Sequence, residues 1–130
     1  MRITGLDHYN IRVPISFLQE LTAFYTDVLG LRVGFRPAFR SSGYWLYAGD
    51  KPLLHLTGFN PDTDSKFESQ QTGWFSHVAL QCEHLPQAIE RLKARGIEYE
   101  LAEVPHLNQV QIFLRDPAGI GIELNFAAAG

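Results

Sequence analysis

The chain has 130 residues, enough for one domain or for two small modules sharing a core. Apolar residues make up 45% and charged residues 19%, the balance of an ordered globular protein rather than a disordered one. The formal charge is −3 and the 11 Lys and Arg are scattered, which argues against a nucleic-acid or anionic-membrane partner, since either needs clustered basic side chains. The single cysteine, Cys82, excludes an intrachain disulfide and a cysteine-based zinc site. Its alternating neighbours Val78 and Leu80 mark it as a buried apolar residue. The opening MRITGLDHYN has no apolar signal core, and no run of about 20 apolar residues occurs, so a soluble protein of the cytoplasm is expected.

In chain order, LDHYNIRV at 6–13 alternates and predicts a strand. PISFLQELTAFYTDVLG places Phe17, Leu18, Leu21, Phe24, Tyr25, Val28 and Leu29 at helical spacing, with Ser16 as cap and Gly30 as stop. LRVGFRP predicts a short strand, and GYWLYAGDKPLLHLTGF two strands around a turn of Gly49, Asp50 and Pro52. The polar stretch NPDTDSKFESQQTG, 60–73, reads as a linker. FSHVALQC then predicts a strand, LPQAIERLKARG an amphipathic helix ending at Gly96, and IEYELAEV another strand. VQIFLRDPAGIGIELNF predicts two strands around Asp116-Pro117-Ala118-Gly119. Both halves thus read strand, helix, strand, strand, strand: one domain over 1–130, made of a first βαβββ module at 4–59 and a second at 74–127, of α+β class.

Alternation sorts the strand faces. Tyr9, Ile11 and Val13 oppose His8, Asn10 and Arg12; Leu54 and Leu56 oppose Leu53, His55 and Thr57. In the second half, Val78, Leu80 and Cys82 oppose His77, Ala79 and Gln81, while Ile122, Leu124 and Phe126 oppose Gly121, Glu123 and Asn125. His8 and His55 lie 47 positions apart and His77 and Glu123 lie 46 apart, so each half carries one candidate metal ligand on its first strand and one on its last. Imidazole and carboxylate together suit Zn, Fe, Mn, Ni or Co, and two His plus a carboxylate leave coordination positions open for a substrate. His55 reads either as a fourth ligand or as a pocket residue beside the ion. His84, at a strand–helix junction, and His106, in EVPHLNQ, read as solvated.

On these residues the chain resembles the vicinal oxygen chelate superfamily, which contains glyoxalase I, methylmalonyl-CoA epimerase, extradiol dioxygenases, and fosfomycin and bleomycin resistance proteins. FYTDVLGLRVGFRP is similar to the helix-end pattern of the first module, and FLRDPAGIGIEL to the final hairpin. The resemblance implies paired βαβββ modules forming a curved mixed sheet with helices on its outer face. It also implies one divalent metal ion (Zn, Ni, Co, Mn or Fe) held by His8, His77 and Glu123, with the fourth ligand falling on or beside His55. Glyoxalase I and the epimerase carry Glu or Gln there, which weighs against an authentic glyoxalase I. The implied function is metal-dependent chemistry on a small substrate chelated through neighbouring oxygens. An isomerase or lyase fits better than a ring-cleaving dioxygenase, because Phe113 stands where a tyrosine would be expected. Glu123 is the candidate base and His55 the second. Arg12 shares the His8 face. Arg36 and Arg40 read either as holders of a carboxylate or phosphate or as surface residues. Phe39, Tyr44 and Trp45 read as apolar walls and Trp74 as core packing. The alternative is a drug-sequestering protein of the bleomycin-resistance type. A homodimer is implied, with sites either within one chain or shared between two.

Overall fold

Each half of the chain folds around its own four-stranded mixed sheet. The computed structural model describes residues 1–63, 74–104 and 107–127, and the chain divides into two units, Met1–Gln71 and Thr72–Gly130. Most of the expected linker and His106 fall outside the described residues.

The first unit runs β1 (Tyr9–Pro14), α1 (Ile15–Ala23), a π-helical turn (Phe24–Val28), β2 (Arg32–Gly34), β3 (Gly43–Ala48) and β4 (Lys51–Phe59). Its strand order is β1-β4-β3-β2, so the last strand inserts between the first and third. β4 runs parallel to β1 and antiparallel to β3. Leu54 and Leu56 are fully buried on one face of β4, and His55 and Thr57 are buried on the other. The helix α1 lies against β4 and β1 and buries Leu18 and Leu21. Gly58 lets it approach: a Cβ there would lie 2.9 Å from Ile15 Cγ1 and 3.2 Å from Leu18 Cδ2.

Two local features depart from the sequence expectation. Ser16 does not cap the helix; β1 turns directly into α1 at Pro14, whose ring-restricted φ of −54° suits the entry, and no side chain caps the end. The helix also widens in its last turn, where the Leu29 N–H donates to Phe24 O at 3.2 Å, five residues back. The Thr22 hydroxyl donates to Leu18 O at 2.7 Å and that of Thr26 to Thr22 O at 3.0 Å, which competes with the regular ladder. The wider turn carries the adjacent Phe24 and Tyr25 both into the core, edge to face at 5.4 Å. Gly30, at φ 80°, ends the turn as expected.

The second unit repeats the plan: β5 (His77–Cys82), α2 (Leu85–Ala94), β6 (Glu100–Val104), β7 (Gln109–Arg115) and β8 (Gly121–Ala127), in the order β5-β8-β7-β6. β8 runs parallel to β5 and antiparallel to β7. Ile122, Leu124 and Phe126 are buried, and Gly121, Glu123 and Asn125 are half-buried on the opposite face. At the end of α2 the Ile97 N–H donates to Leu92 O and the Gly96 N–H to Lys93 O, the paired bonds that a left-handed glycine permits. The Asp116 carboxylate accepts from the Ala118 and Ile120 N–H groups at 2.8 and 2.9 Å and shapes the last hairpin. Cys82 is half-buried, and burial pushes its thiol pKa up. Trp74 is fully exposed rather than in a core, because it precedes β5 and joins no sheet. No helix among the described residues is long and apolar enough to cross a membrane.

Gly58→Ala is expected to destabilise the protein by about 1–3 kcal/mol, the usual cost of overpacking, as read from chemical denaturation. Gly5→Ala, where a Cβ would meet nothing within 4 Å, serves as the control, with a change within about 0.5 kcal/mol.

Candidate active site

In the first unit the register sets Asn10 beside His55 and Arg12 beside Thr57, so polar residues far apart in sequence share one wall. The Asn10 amide donates to Thr57 Oγ1 at 3.0 Å. His8 stands just before β1, and Trp45 faces His55 from β3. These residues border a cavity of about 450 Å³. His8 and His55 stack at 3.8 Å with 15° between planes, and His55 stacks on Trp45 at 4.0 Å with 9°. Phe39 continues the series at 6.1 Å from Trp45, and the Arg36 guanidinium lies 4.9 Å over the Phe39 ring.

Hydrogen bonds assign the imidazole protons. His55 Nε2 lies 3.2 Å from Pro52 O; a carbonyl only accepts, so this nitrogen carries the proton and Nδ1 the lone pair. His8 Nδ1 lies 2.6 Å from Asp7 Oδ1 and donates to it, which leaves Nε2 with the lone pair in the neutral ring. Burial pushes the His55 pKa below the usual imidazole range, and the neighbouring His8 pushes it the same way. The hydrogen bond from His8 holds the Asp7 carboxyl below its ordinary value. Two stacked rings aim their in-plane lone pairs side by side rather than at a common point. In this arrangement one of the two suits an ion, and the other would have to turn out of the stack.

In the second unit His77 and Glu123 meet diagonally across β5 and β8, with His77 Nε2 3.7 Å from Glu123 Oε1. That is too long for a hydrogen bond. It lies within the span of two metal–ligand bonds of about 2.0–2.2 Å each. Both side chains are held from behind. Ser76 Oγ lies 2.9 Å from His77 Nδ1, and the Asn125 amide donates to Glu123 Oε2 at 2.8 Å. Such outer contacts orient ligand side chains. Gly121 gives His77 its place: a Cβ there would collide with the Ser76 carbonyl oxygen and lie 3.1 Å from His77 Cβ. The donor set and its spacing therefore fit a divalent ion. Among the described residues, no three His, Cys, Asp or Glu side chains gather around one point.

Of the other residues singled out by sequence, Arg12, Arg36 and Phe39 border the first-unit cavity with His8 and His55. Tyr44 and Arg40 do not. Tyr44 pairs with Leu56 and so sits on the opposite face of β3 from Trp45, and Arg40 is exposed. His84 is exposed, with Nε2 3.9 Å from Glu83 Oε2. The sequence reading gave no role to Asn10, Ser41, Thr57, Ser76 or Asn125. Asn10, Thr57 and Asn125 are same-face neighbours, two positions on from His8, His55 and Glu123, and that spacing is the signal that would have found them. Ser41 and Ser76 carry no such signal: Ser41 lies in a loop, and Ser76 is the immediate neighbour of His77, which strand alternation would put on the opposite face.

A family model of the Glyoxalase/Bleomycin resistance protein/Dioxygenase superfamily matches residues 5–124. Lactoylglutathione lyase of Salmonella typhimurium is 28% identical over 125 residues, which cover 85% of this chain and 84% of that protein. A variant of the fosfomycin resistance protein FosX from Listeria monocytogenes, complexed with Mn(II) and 1S,2S-dihydroxypropylphosphonic acid, shares 19% identity at a TM-score of 0.71, covering 97% of this chain and 94% of that one. TnmS3, an antibiotic binding protein from Streptomyces sp. CB03234, shares 19% identity at a TM-score of 0.67, with 98% of each chain covered. At those identities the two structures bear on the fold alone. With the βαβββ plan repeated in both units and the match running from residue 5 to 124, the chain belongs to the Glyoxalase/Bleomycin resistance protein/Dioxygenase superfamily.

Proposed function

We propose that the protein is a metal-dependent enzyme acting on a small substrate chelated through neighbouring oxygens, of lyase or isomerase type rather than a ring-cleaving dioxygenase. The observation that carries this reading is the His77–Glu123 pair, 3.7 Å apart, with each member held by its own outer contact. The likeness to a lactoylglutathione lyase supports the reaction class. His8 joins His77 and Glu123 as ligand, and His55 packs beneath His8 or turns to become the fourth. On this reading the ligand set lies within one chain or is shared across a homodimer. A bound divalent ion supplies Lewis acidity toward a substrate oxygen.

The remaining chemistry belongs to the chain. Glu123, once its Oε1 has left the metal, takes a carbon-bound proton on that oxygen while Asn125 holds Oε2 in place. His55, kept neutral by its burial, is the second base, with its lone pair on Nδ1. Arg12, Arg36 and Phe39 contact the substrate in the first-unit cavity. Arg40 and Tyr44, which do not border that cavity, take no part in this reading. The cytoplasm is the proposed compartment. A second reading, a small-molecule or drug-sequestering protein without chemistry, is favoured by the aromatic series lining the cavity.

Elemental analysis of protein purified without a metal-affinity tag is expected to find stoichiometric metal, lost in both His77→Ala and Glu123→Ala. Removing one ligand or its outer partner costs about 10–100-fold or more in metal affinity, and Asn125→Ala should fall in that range. Metal-free protein that still binds an aromatic drug tightly would favour the sequestering reading. Assays with the methylglyoxal–glutathione adduct and with catechols separate the enzymatic readings, and no turnover of catechols is the outcome expected of the lyase or isomerase reading.

The lowered His55 pKa has a definite sign. The unfolded ring titrates at about 6.5, so the unfolded state binds the extra proton first as pH falls. In chelator-treated protein, stability is therefore full above that pH and declines as pH drops through the lower folded value, with Asp7 adding to the loss in the carboxylate range. Histidine NMR titration should find His55 below 6.5 as its shift requires. His55→Gln should flatten the stability slope below about pH 6.5, where the unfolded ring begins to take up its proton.

A further inference from the structure

The Arg36 guanidinium is fixed before any ligand arrives. Its Nη1 donates to Ser41 O and its Nη2 to Ser41 Oγ, both at 3.0 Å. One side of the group lies over the Phe39 ring. Gly43 leaves room for the group: a Cβ there would come within 3.1 Å of Nη2 and 3.3 Å of Cζ. Its Nε is buried and has no hydrogen-bond partner. Among the described residues, no Asp or Glu forms an ion pair with it. Asp7, the acidic residue bordering the same cavity, is engaged by His8. A half-buried cation without an ion-pair partner is costly, and orienting it over an aromatic ring beside a cavity preorganises it for an anion. The same stretch of wall carries the half-exposed Phe39 and, next to it, Trp45, so apolar surface adjoins the charge.

We infer that the first-unit cavity takes a small carboxylate with an aromatic or apolar body, its carboxylate paired with the Arg36 guanidinium and its body against Phe39 and Trp45. The inference rests on the reading of this cavity as the substrate site and narrows the substrate class to anions. A carboxylate suits the remaining donors better than a phosphate does: Ser41 takes one N–H from each terminal nitrogen and Nε is buried, so one N–H remains on each, enough for two acceptor oxygens rather than three.

Benzoate and benzamide share a ring and differ in charge. Isothermal titration of each into the parent and into Arg36→Gln, both metal-loaded and chelator-treated, tests the assignment. The chelator-treated arm decides, because benzoate can also reach a bound metal. Benzoate is expected to bind the parent about tenfold more tightly than benzamide, the scale of one charge-assisted hydrogen-bonded contact. Arg36→Gln should abolish that preference while leaving benzamide binding and metal content unchanged, and acetate should bind the parent far more weakly than benzoate. Equal affinity for benzoate in the parent and Arg36→Gln, or no preference for benzoate over benzamide in the parent, overturns the inference. If Arg36→Gln does not fold, judged by circular dichroism, the benzoate-to-benzamide ratio in the parent and its decline with added salt decide alone. Every group invoked lies in the first unit, so the preference should survive in His77→Ala. Loss of metal there with benzoate preference retained separates the fate of this inference from that of the metal reading.

Discussion

The parallel pairing of the first and last strands in each unit is the constraint from which the rest follows. β4 is drawn between β1 and β3, and β8 between β5 and β7, so residues nearly fifty positions apart become lateral neighbours. A parallel pair requires a long crossover, and here the helix and the two intervening strands provide it. Because side chains alternate strictly, a slip of one residue in β4 would turn His55 and Thr57 toward α1 and bring Leu54 and Leu56 to the cavity. The burial of both leucines against the helix side opposes such a slip, at about 25 cal/mol for each Å² of apolar surface removed from water.

Insertion of β4 at the centre of its sheet also determines the chemistry of the imidazole it carries. A histidine on an edge strand would be solvated and free to rotate. His55 is instead clamped between His8 and Trp45, with its Nε2 proton on Pro52 O and its charge disfavoured by burial. In the second unit the equivalent register yields an imidazole and a carboxylate that face each other without touching, each steadied by a neighbour. The two units have thus kept one backbone plan while diverging in side-chain character. The first offers aromatic rings and a fixed guanidinium, the second a carboxylate with a restrained geometry.

That division suits the members of this superfamily, whose name joins glyoxalases, dioxygenases and resistance proteins on one fold. A fold that hosts several chemistries leaves function to the side chains on a few strand faces. On the proposed reading, discrimination among small molecules belongs to the first-unit cavity, and proton movement to Glu123. Changes in Arg36 or Phe39 would then alter what is bound without disturbing how it reacts.

Much of the architecture was legible before any coordinates. Period-two alternation and 3.6-residue spacing are local properties, so the βαβββ repeat, the polar strand faces and the stops at Gly30 and Gly96 follow from neighbours in sequence. The π-helical turn was not legible, because it depends on how Phe24 and Tyr25 fit a core built by other strands. Nor was it legible that Trp45 and not Tyr44 lines the cavity, since the offset between β3 and β4 chooses the face. The amino-acid order alone determined which residues alternate and therefore which side chains share a strand face. Only the tertiary structure decided which faces meet, which imidazole nitrogen keeps its lone pair and which arginines border the cavity, because these depend on desolvation and on contacts between residues far apart in the chain.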